Sequence, residues 1–139
     1  MANIQLVLAV VLAWFLAQLI KVIIDVIEKR EITPTLILSS GGMPSSHSAF
    51  VTALATAVYF EHGLSVLFWV VAAFALIVMH DSMTVRRMVG EQAVALNTLF
   101  NAVKKVKYNK LNTMMGHTLL QVIVGAVLGI LVGFVVYLF

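Results

Sequence analysis

The sequence predicts an all-α, polytopic membrane bundle of about five helices, four apolar spans plus one amphipathic or partly buried helix, forming a single membrane domain over residues 1–139. Three observations carry this. Hydrophobic residues make up 62% of the 139 positions and charged residues only 11%. With a mean hydropathy of +1.06, that is more apolar side chain than a soluble domain of this length can bury, so the solvent is mostly lipid. Long apolar runs recur, with the polar residues collected between them. The Lys and Arg residues also gather on one side of the membrane once the runs alternate in direction.

The first run covers residues 4–27, with Lys21 and Asp25 in its last two turns. No basic residue precedes it and no small-residue cleavage pattern follows, so it reads as a retained helix and not a removed signal. The second and third runs, Ser45–Phe60 and Leu64–Met79, are joined by Glu61-His62-Gly63, a hairpin connection. At about 16 residues and 1.5 Å per residue, each is roughly 24 Å long against a hydrocarbon core near 30 Å, which places one end of the hairpin below headgroup level. The last run is His117–Phe139. Between it and the third lies a mixed segment, His80–Tyr108, in which Asn97, Asn101, Lys104 or Lys105, and Tyr108 recur at three or four residues while Leu96, Leu99, Phe100 and Val103 take other faces. This is an amphipathic helix, either interfacial or packed along the bundle. Gly125, Gly129 and Gly133 form a four-residue ladder in the last run. The ladder permits close approach of another helix, either within the chain or across a homodimer.

All nine Lys and Arg residues (21, 29, 30, 86, 87, 104, 105, 107, 110) fall on one side; the 61–63 turn and both termini carry none. The positive-inside rule makes that side cytoplasmic and both termini non-cytoplasmic, in a multi-pass protein of a bacterial inner membrane. His47 and His117 land on the same side. The net charge of +3 is explained by topology and phosphate binding, and the apolar composition argues against nucleic acid. With no cysteine, disulfides and thiolate metal sites are excluded.

Gly41-Gly42-Met43-Pro44-Ser45-Ser46-His47-Ser48 is the most informative stretch. A glycine hinge leads into a helix start, where Pro44 suits the first turn. Ser45 and Ser46 offer cap hydroxyls, and the free amides and helix dipole there favour an anion. His47 adds a titratable ring within reach of it. Downstream, Asp81, Thr84, Arg87 or Met88, and Glu91 share one face if the segment is helical, so a carboxylate can orient a guanidinium towards a phosphate. The alternative is an interfacial Arg pair snorkelling to headgroups. His117 opens the last helix with Gln121 one turn on. His62 reads as a solvated turn residue. A metal site built from His47, His80, Asp81 and His117 is conceivable, but no pair has metal-ligand spacing on one helix.

Pro44-Ser45-Ser46-His47 resembles the Pro-Ser-Gly-His signature of the type 2 phosphatidic acid phosphatase superfamily, which includes the vanadium haloperoxidases. With Val85-Arg86-Arg87, Gly90-Glu91-Gln92-Ala93 and Gly116-His117, the chain is similar over nearly its whole length to a compact, divergent membrane branch of that superfamily. The resemblance implies a metal- and cofactor-free lipid phosphate phosphatase. His117 would be the nucleophile and His47 the acid/base; Lys21, Ser45, Ser46, Arg86 and Arg87 would form the phosphate cradle. Three departures stand out. Gln121 occupies the place of the family's orienting aspartate, leaving Glu91 or Asp81 to substitute. No Arg-Pro follows Lys21 at the expected spacing. The arginine expected just before His117 is absent, so Arg86 or Arg87 must reach in from the preceding helix. The expected substrate is a lipid phosphate monoester or diphosphate entering from the bilayer. The competing reading is a non-catalytic lipid-phosphate binder or small transporter that keeps the cradle.

Overall fold

The structure is a computed structural model that describes residues 2–29, 41–103, 108–113 and 115–139. Arg30, Lys104, Lys105 and Lys107, counted above for the charge bias, lie outside the described residues. Among the described residues there are five helical segments: α1 (Ala2–Lys29), α2 (Ser46–His62), α3 (Val66–Met83), α4 (Val85–Ala102) and α5 (Leu119–Leu138). Among the described residues there is no strand.

The expected count needs one correction. Thr84 is at once the C-cap of α3 and the N-cap of α4, so these two segments run on as one broken rod, and the described residues form four rods and not five. The break is at Thr84, whose hydroxyl donates to the His80 carbonyl at 2.7 Å. Neither glycine nor proline marks it. Among the described residues three stretches are long and apolar enough to cross a membrane: Ile4–Ile27, Val66–Ala102 and Leu119–Leu138. The chain is a membrane protein. The expected fourth span, α2, has 17 residues and takes a different place.

α2 is the axle of the bundle, packed against α5, α1 and α3. Its inward residues are small or hydroxylated: Ser48, Ala49, Thr52, Ala53, Thr56 and Ala57 are all buried. In lipid there is little hydrophobic gain from bringing helices together, so close van der Waals packing by small residues carries the association. α1 answers with Ala9, Ala13 and Ala17 at four-residue spacing, all fully buried. The same stripe continues one and two turns on as Lys21 and Asp25, also buried. The stripe that makes the contact therefore also carries a cation and a carboxylate into the site.

α5 supplies the glycine ladder. A Cβ at Gly125 would strike the Ser45 carbonyl, and one at Gly129 the Ala49 carbonyl and the Thr52 hydroxyl; one at Gly133 would lie 2.7 Å from the Thr56 methyl. The ladder's face is thus occupied by α2 of the same chain. Thr52 adds a polar tie, its hydroxyl 3.0 Å from the Ala126 carbonyl of α5. At the far end Gln5 donates to the Val136 carbonyl at 3.4 Å, and Tyr137 donates to Glu61. Helix starts are fixed by Ser45, Ser65 and Thr118, each accepting from a backbone amide three residues on. The directions of the helices bring the end of α1, the start of α2, the end of α3 and the start of α5 to one end.

Candidate active site

At that end the two histidines meet. The His47 and His117 rings lie 6.0 Å apart, centroid to centroid, with their planes inclined at 63°. His47 is in the first turn of α2, placed by the Ser45 cap, whose Oγ accepts from the Ser48 amide at 3.3 Å. Two backbone bonds lock the start of α5 alongside. The Ser45 amide donates to the Gln121 carbonyl at 3.0 Å, and the His117 amide donates to the Ser82 carbonyl at 2.9 Å. His117 is thus held by its main chain, independently of its ring.

The ring of His117 is buried, and neither ring nitrogen has a hydrogen-bond partner among the described residues; nor does Nδ1 of His47. Unsatisfied buried nitrogens are costly, and in a native site they point to a ligand or reaction group. Burial, followed by the positive charges of Lys21 and His47, pushes the His117 pKa from 6.5 down to about 4. Gln121 and the Gly42 backbone act in the opposite sense but more weakly, and neither closes a hydrogen bond to the ring. The imidazole is neutral at physiological pH.

Lys21 lies beneath the Gly42 turn. Gly42 has φ +90°, and a Cβ there would sit 3.2 Å from the Lys21 Cγ, so the chain crosses the lysine stem where only glycine fits well. Asp25, one turn along α1, balances Lys21 electrostatically. Arg86 and Lys21 act on the His47 ring as nearby positive charges and Asp81 as a nearby negative one.

The two arginines part company at the Thr84 break. Arg86 pairs back to Asp81 across it at 2.9 Å, on the His47 side. Arg87 pairs along α4 with Glu91 at 3.1 Å. Arg87 and Glu91 line a cavity of about 330 Å3 together with Gly42, His117, Thr118 and Gln121. Asp81 and Glu91 therefore each hold an arginine, and neither orients a histidine. The expectation that Asp81 and Glu91 share one helical face is corrected: the break separates them.

Other expectations also shift. Pro44 stands one residue before the cap, because the helix begins at Ser46. Ser45 is buried, with its amide and hydroxyl oxygen both engaged in placing the helices, and Ser46 is buried beside it. Gln121 completes a capping box, its Oε1 accepting from the Thr118 amide at 2.9 Å, so that oxygen serves the helix end and not the His117 ring. His62 is exposed, as is His80, whose Nδ1 lies 3.4 Å from the Thr84 hydroxyl. Among the described residues no three His, Asp or Glu side chains gather as a metal-holding group. The sequence assigns no role in the site to Asp25, Ser48 or Ser82, although Asp25 stands with Lys21 in the first run. Asp25 had a signal, the four-residue stripe that runs through Ala17 and Lys21.

An apolar groove of about 350 Å3 opens between α2, α3 and α5, lined by Thr52, Thr56, Phe68, Leu76, Met79 and Phe134 among others. Both threonine hydroxyls turn away to backbone carbonyls, Thr52 to Ser48 at 2.8 Å and Thr56 to Thr52 at 2.8 Å.

The profile of the divergent PAP2 family matches residues 1–132. The chain is 46% identical over 138 residues to the uncharacterized membrane protein YuiD of Bacillus subtilis (strain 168), covering 88% of this chain and 87% of that one. No solved structure matches. A match across nearly the full length, added to paired histidines at the mouth of a small-residue helix bundle, means that this chain belongs to the divergent PAP2 family.

Proposed function

We propose that the chain is a metal-independent phosphatase of the bacterial inner membrane, hydrolysing a lipid phosphate monoester or diphosphate at the cytoplasmic face through a phosphohistidine. One observation carries the reading: two imidazoles 6.0 Å apart, one of them buried with both nitrogens unpartnered, beside Lys21 and Arg86. A single tetrahedral group between the rings can touch both.

The neutral His117 nitrogen attacks phosphorus, and the N–P bond forms as the P–O bond to the alkoxide breaks. His47, protonated, gives its proton to the departing oxygen. Water then enters; His47 takes its proton, the new P–O bond forms, and the N–P bond breaks to return His117 to the neutral state. Lys21, Arg86 and Arg87, with Ser45, Ser46 and the amides opening α2, stabilise the phosphoryl oxygens as negative charge builds. The apolar groove flanking α2 suits a hydrocarbon chain, which favours a substrate such as phosphatidic acid, phosphatidylglycerol phosphate or a prenyl phosphate, reached from within the bilayer. The basic residues at the site end support a cytoplasmic opening with both termini outside.

The commitment of Gln121 Oε1 to the Thr118 amide favours a second reading, a lipid-phosphate binder without turnover, since His117 then lacks an orienting carboxylate. Phosphate release from a panel of lipid phosphates by purified protein, with chelator present, separates the two. Release that His117→Ala abolishes and His47→Ala sharply reduces supports the phosphatase. Binding without release supports the second reading, and release lost to chelator contradicts the metal-free mechanism.

A further inference from the structure

α4 stands apart from the bundle: among the described residues it packs against α3 and no other helix. It still buries Gly90, Ala93 and Asn97, whose spacing puts them on one face. What covers Gly90 and Asn97 is the chain that leads into α5. Asn97 donates to the Leu111 carbonyl and accepts from the Leu111 amide, both at 3.0 Å. The Tyr108 hydroxyl lies 3.1 Å from the Asn97 carbonyl and 2.9 Å from Asn101 Oδ1. A Cβ at Gly90 would lie 2.7 Å from the Met115 carbonyl, and Gly116 (φ +85°) rests on the Arg87 backbone. The next residue is His117, whose amide is bonded to Ser82 at the end of α3. Residues 108–113, 115 and 116 thus form a strap that runs antiparallel along α4, from Asn101 to Arg87, and finishes at the imidazole.

We propose that Asn97 is a positioning residue for His117: by clamping Leu111 upstream, it fixes the strap that carries the imidazole to its place opposite His47. Asn109, Lys110, Leu111, Asn112 and Thr113 are all exposed, so apolar burial does not anchor this stretch and the Asn97 bonds matter more. An amide side chain offers a single peptide group both a donor and an acceptor. Asn97 is itself buried, where losing such bonds is costly. The clamp, the Gly90–Met115 contact and the Gly116–Arg87 contact fall in order along one helix, so α4 serves as a rigid rule against which His117 is set. Lys21 on α1 and Arg86 beside the Thr84 break stand off the strap, and their hold on a phosphate does not depend on it. The effect on turnover rests on the phosphatase reading above; the effect on the position of the ring does not.

The test compares histidine-labelled, full-length protein in detergent with Asn97→Ala, Asn97→Leu, Asn97→Gln and Thr98→Ala. The His117 ring is assigned by its loss in His117→Asn. In Asn97→Ala its NMR resonances should shift and broaden, and its pKa should climb from about 4 towards 6.5 as water reaches it; the resonances of the exposed His62 and His80 should stay in place. Phosphate release should fall about 10²-fold in kcat with KM nearly unchanged, the mark of a displaced reacting group. Asn97→Leu keeps the shape without the bonds and gives the same reading if Asn97→Ala does not fold. Asn97→Gln restores both bonding groups on a longer stem and should recover part of each loss. Thr98 donates only to the Val94 carbonyl of its own helix, at 2.9 Å, so Thr98→Ala should match the parent protein. Unaltered His117 resonances in the folded Ala or Leu variant overturn the proposal, and so does a raised KM with kcat intact. If the parent protein releases no phosphate, the phosphatase reading fails and the ring resonances alone decide the clamp.

Discussion

His47 and His117 face one another edge to face, 6.0 Å between ring centroids, although seventy residues of chain separate them. Each stands at the start of a helix running away from the same membrane face, so their meeting follows from topology and from the Ser45–Gln121 backbone bond. If one phosphoryl group sits between them, the two rings act as a unit. His117→Ala should then remove turnover entirely. His47→Ala should lower it by about 10²–10⁴, the usual worth of a placed acid/base. The double variant should be no worse than His117→Ala, a non-additivity that steady-state phosphate release checks directly.

Proton uptake gives a test of His117 that needs no substrate. Its folded pKa, about 4, is below its unfolded value near 6.5. The unfolded chain therefore binds a proton that the folded chain refuses as pH falls through that window. Stability present above pH 6.5 should be lost progressively down to about pH 4 and not further. At roughly 1.4 kcal/mol per pH unit, this amounts to about 3 kcal/mol. Histidine-labelled protein followed by NMR should show one ring staying neutral to near pH 4. The absence of that resonance in His117→Asn, with a flatter stability profile, assigns it.

The glycine ladder separates fold from site. Gly125→Ala drives a Cβ onto the Ser45 carbonyl, whereas Gly133→Ala crowds the Thr56 side chain and meets the Ala53 carbonyl only at ordinary contact distance, 3.5 Å. Overpacking of this kind costs about 1–3 kcal/mol. Gly125→Ala should lower thermal stability in detergent and also reduce phosphate release in the molecules that remain folded, because Ser45 sets His47. Gly133→Ala should lower stability by less and leave specific activity unchanged.

Gln121 is expected to respond asymmetrically. Gln121→Ala removes one half of the capping box with Thr118 and should cost about 1 kcal/mol. Gln121→Glu preserves the box geometry and places a carboxylate beside His117, so the histidine pKa should rise and turnover should increase. A fall in turnover with an intact fold would show that the amide is required at this position.

Much of this site could be read from the chain before any coordinates. The apolar runs and the one-sided lysines and arginines bring Lys21, His47 and His117 to one end whatever the packing details. The Ser45 cap and the glycine ladder follow from local chemistry. The division of labour between Arg86 and Arg87 could not be read, because the turn at Thr84 is made by a threonine inside a good helical pattern with no glycine or proline to announce it. Gln121 looked like a substitute ligand for His117 because spacing shows which residues share a face but not which backbone group takes a side chain first. Asn97 passed as one more polar position on an amphipathic helix; its clamp on Leu111 depends on a distant segment folding back. Such contacts are set by tertiary packing, which periodicity does not encode.

The most direct measurement is capture of the covalent intermediate. Purified protein mixed with a short-chain lipid phosphate, quenched at alkaline pH and digested, should yield a phosphorylated peptide with the modification on His117. Its yield should rise in His47→Ala if that variant slows hydrolysis of the adduct more than its formation. Turnover that proceeds with no phosphohistidine at His117, or with the phosphoryl group on another residue, would contradict the account.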